Sequence, residues 1–384
     1  MAARSVIISP SISIYNKYVV LAKSLNKQVI SELEFGYLLN KKAKMVAITG
    51  TNGKTTTTML INQMLKTKYK CGAYGNIGEP LTNARSLHYD YLSVEVSSFQ
   101  LEAIERLKPN ISVVLNIDAD HLDRHKTLNN YINAKLNLLK NNDENSITIL
   151  NADDANIMAN AKNIKGRVLY FSQTKCLSGV FLENGVIWLN LNNKLSQIAK
   201  LNSFNLPNNI TDDILAAILV AKLCKVSNKN IIGVLNNFKL APYRATTKTI
   251  NGIKIINDSK GTNIHSTLSA LYGQQNVILL LGGVDKKLDF SPIFKNAKTI
   301  KQIICFGETA KQIAKTAKNC KNLAVLQEKN CKNAVLSALT MAKAGDTILF
   351  SPACSSFDEF SSYLERGQFF DNLVNNYFKA KQMA

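Results

Sequence analysis

The sequence lacks any run of about 18 apolar residues, the length that a membrane-spanning helix requires. Its first ten residues also lack an apolar stretch followed by small residues, so no secretion signal is expected. The seven cysteines form no Cys-x-x-Cys pair, which argues against a zinc site and a disulfide framework. Reduced thiols and a cytoplasmic protein without a membrane anchor are therefore expected.

Acidic residues are scarce: 27 Asp and Glu stand against 47 Lys and Arg, which gives a formal net charge of +20. Such a charge is common in nucleic-acid-binding proteins. Here, however, the lysines are spread along the chain among asparagines and isoleucines, without interleaved aromatic residues. Solvated lysines are the favoured interpretation. No nucleic-acid partner is expected, whereas small anionic ligands are compatible with this charge.

The length of 384 residues predicts two or three domains. Apolar segments without polar alternation, typical of strands buried on both faces, recur between helical stretches. This order predicts an α/β fold with a doubly wound, mostly parallel sheet. A second series starts near Ala241, and Pro242 favours a boundary beside it. The predicted domains are 1–44, 45–240 and 241–384, of which the first is too short for a core of its own.

The hydrophobic pattern also places individual elements. Strands are predicted at 6–9, 44–49, 91–96, 111–117, 146–151, 253–257, 277–281, 303–306 and 347–351, with a small antiparallel excursion at 179–195. Helices are predicted at 15–25, 55–65, 129–139 and 211–223.

The most specific motif is GTNGKTT at residues 50–56, between a predicted strand and a predicted helix. Glycines let backbone N–H groups approach phosphate oxygens, and a helix N-terminus favours negative charge. Lys54 would reach the β- and γ-phosphates of a nucleotide, and the Thr55 hydroxyl would reach Mg²⁺. The first glycine is closer to the second than in the common G-x-x-x-x-G-K-[ST] form. A glycine-rich connection containing a lysine is the alternative, but the flanking strand and helix favour phosphate binding.

Acidic residues follow two further strands. Glu95 follows the apolar residues 91–94 at the carboxyl end of a predicted strand, where ligands of an open parallel sheet gather, and could hold a metal or cap the next helix. The loop 118–125 places three acids around His121, ligands that suit Mg²⁺ or Mn²⁺ near a phosphate. Lys135, on the helix after this loop, would otherwise be taken for a surface lysine.

Three polar loops follow strands of the last domain, at 257–263, 282–287 and 351–356. Each could be an ordinary turn, but together they predict a second ligand-binding face. Cys354 lies in the third loop, and no histidine near it in sequence could activate it. An inert buried thiol is therefore favoured over a nucleophile.

These motifs together resemble the Mur ligases. The segments that carry the resemblance are GTNGKTT at 50–56, GNIG at 75–78, EVSSFQLE at 95–102, DHLDRH at 120–125, NDSKGTN at 257–263 and SPACSSFDEF at 351–360. The likeness covers nearly the whole chain from about Ser5. It implies a three-domain architecture: a truncated N-terminal uridine-binding domain, a central P-loop ATPase domain with a parallel sheet, and a C-terminal Rossmann-like domain.

Two of these segments, EVSSFQLE and SPACSSFDEF, are typical of the family member that adds D-glutamate, whereas GTNGKTT is shared with folylpolyglutamate synthases. The resemblance implies an ATP-dependent amide ligase of peptidoglycan synthesis that joins D-glutamate to UDP-N-acetylmuramoyl-L-alanine through an acyl phosphate. It further implies a monomer that uses Mg²⁺, with Mn²⁺ as the alternative.

The resemblance also implies roles for individual residues. The nucleotide would be bound by Gly50, Thr51, Asn52, Gly53, Lys54, Thr55, Thr56, Asn209, Arg244 and Asp258. The metal would be held by Thr55, Glu95, His121 and Lys135, the last as a carbamylated lysine. The other substrates would meet Asn76, Ser97, Thr262, Lys286, Ser356 and Phe357. Catalytic roles are implied for Lys54, His121, Lys135, Arg244 and Lys260.

The sequence departs from the family pattern in three places. Tyr243 stands where the family has histidine before Arg244, and the adenine-side pattern is matched only loosely at 208–213. The first 44 residues keep Ser9-Pro10-Ser11 and 31–34 of the uridine-binding domain but not its glycine-rich turn. Two alternatives to the active ligase therefore stay open: a nucleotide-binding remnant without ligase activity, and a folylpolyglutamate-type ligase.

Overall fold

The computed structural model describes residues 5–284, 288–295, 297–318 and 323–383. The chain divides into two compact units. The first comprises Met1–Ala119 and Arg124–Lys239, and the second comprises Asp120–Asp123 and Leu240–Ala384. Residues 1–44 belong to the first unit, so their separation as a domain of their own stays a prediction.

The strands of the described residues are β1 Ser5–Ile8, β2 Gln28–Ser31, β3 Lys44–Thr49, β4 Cys71–Gly75, β5 Tyr91–Glu95, β6 Ile111–Val114, β7 Ile147–Asn151, β8 Arg167–Ser172, β9 Gly179–Glu183, β10 Val186–Leu191, β11 Lys194–Lys200, β12 Thr246–Ile250, β13 Ile253–Asn257, β14 Val277–Gly282, β15 Ile300–Phe306, β16 Val325–Gln327 and β17 Thr347–Ala353.

The α-helices of the described residues are α1 Lys17–Ser24, α2 Glu32–Leu39, α3 Lys54–Lys66, α4 Ser98–Leu101, α5 Leu122–His125, α6 Leu128–Leu136, α7 Ala155–Asn160, α8 Thr211–Leu223, α9 Asn228–Asn237, α10 Ile264–Leu271, α11 Ser291–Lys295, α12 Ala310–Lys318, α13 Cys331–Met341 and α14 Tyr363–Met383.

A nine-stranded sheet forms the centre of the first unit, in the order β11-β10-β9-β8-β7-β6-β3-β5-β4. The strands from β4 to β9 run parallel, while β9, β10 and β11 pair antiparallel at one edge. All residues of β3 after Lys44 are buried, as its apolar sequence predicts for a central strand. Because β3 lies between β5 and β6, the carboxyl ends of these three strands are neighbours.

Helix α8 is buried along most of its length and packs against α3, the helix that follows β3. Its sequence from Ile214 to Ala221 is apolar on every side, the composition of a helix enclosed by protein. In this packing, the Thr57 hydroxyl on the first turn of α3 donates to Oδ1 of Asp213 on α8 at 3.2 Å.

A second, two-stranded sheet in the first unit pairs β1 with β2 in parallel, flanked by α1 and α2. It is attached to the chain after α4 through a buried carboxylate. Glu34, 1% exposed, accepts hydrogen bonds from the backbone N–H groups of Glu105, Arg106 and Leu107 at 2.9–3.1 Å. Three donors on one carboxylate make this contact the main polar anchor of the small sheet.

We expect Glu34→Gln to lower the free energy of unfolding by roughly 2 kcal/mol. The amide would present its NH₂ group to backbone donors and lose the charge that strengthens the three bonds. Urea unfolding followed by circular dichroism measures the effect, with the exposed Glu144→Gln as the matched control. Equal unfolding midpoints for the two variants would contradict the assignment.

The sheet of the second unit has the order β12-β13-β17-β14-β15-β16. Only the edge pair β12–β13 is antiparallel among its described pairs. Helices α10, α11 and α12 contribute to the core on one face, and α13 and α14 to the core on the other. This is the doubly wound arrangement that the strand–helix alternation predicts, and it brings the carboxyl ends of β13, β17 and β14 side by side.

No helix among the described residues is both long and apolar enough to cross a membrane. The six cysteines within the same residues are free thiols, and Cys354 is fully buried, as predicted.

Candidate active site

The glycine-rich loop joins β3 to α3, and Gly53 is the residue that permits its shape. Gly53 precedes the helix with φ +82°, a left-handed conformation that favours glycine. A Cβ atom there would lie 2.0 Å from Oδ1 of Asp213, on α8. The helix start therefore accepts no larger residue at this position. The backbone N–H groups of its first turn form the kind of end that binds phosphate.

The loop is anchored by side chains from the segment that follows β6. Asn116 accepts a hydrogen bond from the Asn52 backbone N–H at 2.8 Å and donates to the Asn52 carbonyl at 3.2 Å. The Thr51 hydroxyl donates to the Asp118 carbonyl at 3.2 Å and accepts from the Asp118 N–H at 3.0 Å. These paired bonds hold the backbone of the loop in one conformation, which lowers the entropic cost of binding a ligand.

Two lysine amines converge on the carbonyl of Gly50. Lys54 Nζ donates to it at 2.8 Å and to the Thr51 carbonyl at 2.9 Å. Lys135 Nζ, on α6, donates to the same Gly50 oxygen at 2.7 Å and lies 4.6 Å from the centre of the Tyr131 ring. Lys135 is 1% exposed, so it is not the surface lysine that its sequence context alone would suggest. Two lysine amines, one from the loop's own helix and one from α6, thus meet at the same carbonyl of the loop.

Glu95, the last residue of β5, is 3% exposed and held between two donors. Thr55 Oγ1 donates to Oε2 at 2.9 Å, and Asn76 Nδ2 donates to Oε1 at 3.0 Å. The alternative role as a helix cap is wrong, because Ser97 caps α4. A hydroxyl and a carboxylate from neighbouring strand ends are the oxygen donors that Mg²⁺ prefers, and Mg²⁺ often takes only one or two carboxylates from protein.

His121 has φ +53°, uncommon for a residue other than glycine. Its backbone N–H donates to Oδ1 of Asp120 at 2.8 Å, and its Nε2 lies 3.7 Å from Oδ2 of the same residue. Nowhere in the described chain do three or more His, Cys, Asp or Glu side chains gather as metal ligands. The metal-binding role of His121 stays a prediction.

Other predicted contacts of the first unit have competing structural tasks or open surroundings. Ser97 and Gln100 form a capping box at the start of α4. Asn209 lies exposed in a short 3₁₀ turn before α8. Their predicted roles in substrate and nucleotide binding remain untested.

The second unit brings together the loops after β13, β14 and β17. Ser351 Oγ donates to Oδ2 of Asp258 at 2.7 Å, and the Ala353 N–H donates to the Gly261 carbonyl at 2.9 Å. The Val284 N–H donates to the Ser355 carbonyl at 3.0 Å. The described residues of the three predicted polar loops therefore form one connected surface at adjacent strand ends.

Individual residues of this surface differ in exposure. Thr262 is partly buried, Ser356 is 2% exposed and Phe357 is 73% exposed. Lys260 Nζ lies 5.1 Å from the centre of the Tyr363 ring. Lys286 falls outside the described residues. The substrate-binding roles of this set stay predictions.

Arg244 lies between two residues in the left-handed region, Tyr243 at φ +60° and Ala245 at φ +50°. Such conformations cost free energy outside glycine and are common where a functional side chain must be aimed. The charge of Arg244 acts on Asp258, whose pKa burial raises from 3.8 to about 6, against the lowering effects of Ser351 and Arg244. Asp258 is therefore one carboxylate through which pH changes the stability of the second unit.

We expect Asp258→Asn to gain stability relative to the wild type as the pH rises from about 4 to about 6. The pKa of Asp258 is higher in the folded state than in the unfolded state, so ionisation of Asp258 lowers the free energy of unfolding of the wild type. This lowering begins above the unfolded-state pKa and is complete only above the folded-state pKa. The difference in free energy of unfolding between the variant and the wild type should change by about 3 kcal/mol over this range. The hydrogen bonds lost in the variant add a constant, pH-independent term to that difference. Calorimetry at several pH values measures it, and a pH-independent difference between the proteins would contradict it.

Sequence reasoning missed several residues that shape the site: Asn116, Tyr131, Asp213 and Arg366. Asp213 follows Asp212 in the first turn of α8, and these two acids directly before an apolar run were a usable signal. Arg366 is 1% exposed and donates to the carbonyls of Ser259 and Cys354, thereby joining two loops of the second unit. Backbone carbonyl acceptors leave no trace in a sequence, so this contact could not be anticipated.

Two family models match the chain: the Mur ligase middle domain over residues 48–197, and the Mur ligase glutamate ligase domain over residues 244–354. Among curated proteins, the UDP-N-acetylmuramoylalanine--D-glutamate ligase of Clostridioides difficile (strain 630) is 36% identical over 97% of this chain and 84% of its own length. The protein of the same name from Thermoanaerobacter sp. (strain X514) is 38% identical over 96% of this chain and 83% of its own length.

Solved structures with the same fold include MurF ligase from Thermotoga maritima in complex with ADP. Its TM-score is 0.64 at 16% identity, over 98% of this chain and 96% of that one. MurF from Acinetobacter baumannii has a TM-score of 0.67 at 17% identity, over 87% of this chain and 78% of that one. At these identities the likeness concerns the fold alone.

Proposed function

This chain belongs to the Mur ligase family, and on that premise we propose that it joins D-glutamate to UDP-N-acetylmuramoyl-L-alanine while converting ATP to ADP and phosphate. The observation that carries the proposal is the likeness to ligases of that name, at 36–38% identity through both units. A phosphate-binding loop beside a buried carboxylate supports it chemically. The reaction would belong to peptidoglycan synthesis and take place in the cytoplasm.

In the first step, a carboxylate oxygen of the uridine-linked substrate attacks the γ-phosphorus of ATP, and ADP leaves. The loop N–H groups and Lys54 would bind the phosphates as charge spreads over the transferred group. Thr55 and Glu95 would hold Mg²⁺, which neutralises phosphate charge when bound. The short Thr55–Glu95 contact supports this pairing of oxygen donors.

In the second step, the amine of D-glutamate attacks the acyl carbon of the acyl phosphate, phosphate leaves, and the amine loses a proton. The connected loops of the second unit offer hydroxyls suited to the two carboxylates of the amino acid, and the sequence adds Lys286 in the second of these loops. Thr262, Ser356 and Lys286 are proposed for that role, while Asp258, Arg244 and Lys260 are proposed on the nucleotide side. Asn76 is proposed for the uridine-linked substrate.

The test is phosphate release from ATP in the presence of UDP-N-acetylmuramoyl-L-alanine, with and without D-glutamate. We expect release only when D-glutamate is added, together with a product whose mass equals the two substrates joined minus water. L-glutamate is the matched control. Equal rates of phosphate release with and without D-glutamate would refute the proposal. ATP binding without turnover would instead favour the nucleotide-binding remnant, and turnover with a folate and L-glutamate the folylpolyglutamate-type ligase.

A further inference from the structure

Arg124 contacts three separate parts of the first unit. Its guanidinium donates to the carbonyl of Pro10 at 2.7 Å and to that of Ile12 at 3.2 Å. It forms an ion pair with Glu102 at 2.5 Å and lies 4.2 Å from the centre of the Phe99 ring. The two charged side chains are only 13% and 10% exposed, so solvent screens this pair weakly.

The turn that Arg124 holds follows β1. The Ile12 N–H donates to the Ser9 carbonyl at 3.0 Å, and the hydroxyls of Ser9 and Ser11 lie 2.8 Å apart. Two carbonyls and a carboxylate around one planar guanidinium match its fixed fork of donors, whereas a lysine would bring three donors from a single nitrogen without that planar fork. Arginine therefore suits this arrangement better than lysine.

On its other side, Arg124 is connected to the segment that carries the proposed metal ligand. Glu102 also lies 3.5 Å from Nδ1 of His125, whose Nε2 lies 3.0 Å from Oγ of Ser98. Ser98 opens α4, three residues after Glu95. The network thus runs from the turn after β1 to the chain directly after β5.

The turn and the phosphate loop belong to different sheets. The phosphate loop belongs to the nine-stranded sheet, whereas this turn lies at the carboxyl end of β1 in the separate parallel pair, where open α/β sheets bind ligands. The proposed reaction requires the acceptor carboxylate to reach the transferred phosphoryl group, so the acceptor's site must be fixed relative to Glu95.

We propose that Arg124 is a positioning residue that fixes the turn at 9–12 against the segment after Glu95 and so orients the uridine-linked acceptor substrate. The inference rests on the proposed function. It assigns Arg124 no contact with ATP or with D-glutamate.

The test compares Arg124→Ala and Arg124→Lys with the exposed control Arg167→Ala. We expect KM for UDP-N-acetylmuramoyl-L-alanine to rise by about 10- to 100-fold in Arg124→Ala and by less in Arg124→Lys. KM for ATP and for D-glutamate should stay within about twofold, a separation that general destabilisation would not produce. If Arg124→Ala does not fold, Glu102→Gln keeps the shape of the network and should show the same separation.

Binding of UDP-N-acetylmuramoyl-L-alanine, measured by calorimetry without ATP, separates this inference from the proposed function. A wild type that binds the substrate but never turns over refutes the function, and weaker binding by Arg124→Lys still supports the inference. Unchanged acceptor KM and unchanged binding in both folded variants overturn it. A wild type with no affinity for the substrate overturns both.

Discussion

Lys54→Met should reduce ligation by at least about 10³-fold while leaving the fold intact. The amine lies within the loop at the carbonyls of Gly50 and Thr51, where the β- and γ-phosphates of ATP would bind. Phosphoryl transfer depends on positioning and on charge stabilisation, so a neutral side chain of similar length removes the stabilisation without removing much packing. Initial rates of D-glutamate-dependent phosphate release measure the effect.

The matched control is Lys66→Met, at the exposed last turn of the same helix. It loses the same charge from α3 without approaching the loop, and its rate should stay within about twofold of the wild type, because exposed charges act weakly at a distance in salt. Comparable rates for Lys54→Met and Lys66→Met would remove the loop lysine from the mechanism. Equal unfolding temperatures would show that lost activity does not reflect lost structure.

The sequence predicted elements best where hydrophobic pattern and burial agree. Strand β3 and helix α8 occupy the predicted residues, since one is a central strand and the other an enclosed helix. The strand predicted at 111–117 ends at Val114, because the following residues turn to hold the phosphate loop through Asn116. The sequence stays apolar beyond Val114, so the hydrophobic pattern does not show where the strand ends. The contact of Asn116 with the phosphate loop determines that end.

Two of the missed strands, β4 and β12, have weak local signals. Strand β4 contains two glycines in CGAYG, and the edge strand β12 reads TTKTI with no buried residue. Their pairing with neighbouring strands decides their conformation, as expected for elements whose stability comes from tertiary contacts. The predicted antiparallel strands at 179–195 are confirmed, but they extend the parallel sheet instead of standing apart from it.

The candidate site was predictable where side chains follow adjacent strands. Thr55 and Glu95 meet because β3 and β5 are parallel neighbours. In contrast, the contacts of Arg124 with the turn at 9–12 join residues more than 100 positions apart through backbone carbonyls. Such acceptors are present at every residue, so the sequence gives no indication of which ones are used.

Lys135 is the second residue whose replacement should nearly abolish activity. We expect Lys135→Ala and Lys135→Arg each to lose about 10²- to 10³-fold in rate. The proposal that Lys135 is carbamylated predicts that the arginine variant is no better than the alanine variant, since a guanidinium preserves the cation but cannot take up CO₂. If the cation itself were needed, Arg would retain most of the activity.

The structure is compatible with the modified side chain at its nitrogen. Carbamylation of the ammonium form releases one proton to give the neutral amine and a second when the nitrogen bonds to the carbon of CO₂, leaving one N–H on that nitrogen. The N–H can keep the 2.7 Å hydrogen bond to Gly50 that Nζ makes. The modification would, however, remove the favourable position of the ammonium group 4.6 Å from the Tyr131 ring, a contribution of about 0.5–2 kcal/mol. For the carbamate to form, the free energy gained from its interaction with the metal must be larger than the free energy lost at the Tyr131 ring.

Chemical rescue decides between the two roles. In Lys135→Ala, a small carboxylate such as acetate could enter the space left by the side chain and supply the anionic oxygens of the missing carbamate. We expect acetate to restore part of the activity of Lys135→Ala and none of Lys54→Met, because the latter lacks a cation. Rescue of Lys135→Ala by methylamine but not by acetate would show that the lysine acts as an ammonium group and would overturn the carbamate. An independent check is ¹³C NMR of protein incubated with ¹³C-labelled bicarbonate. We expect the resonance of a carbamate carbon in the wild type and its absence in Lys135→Arg.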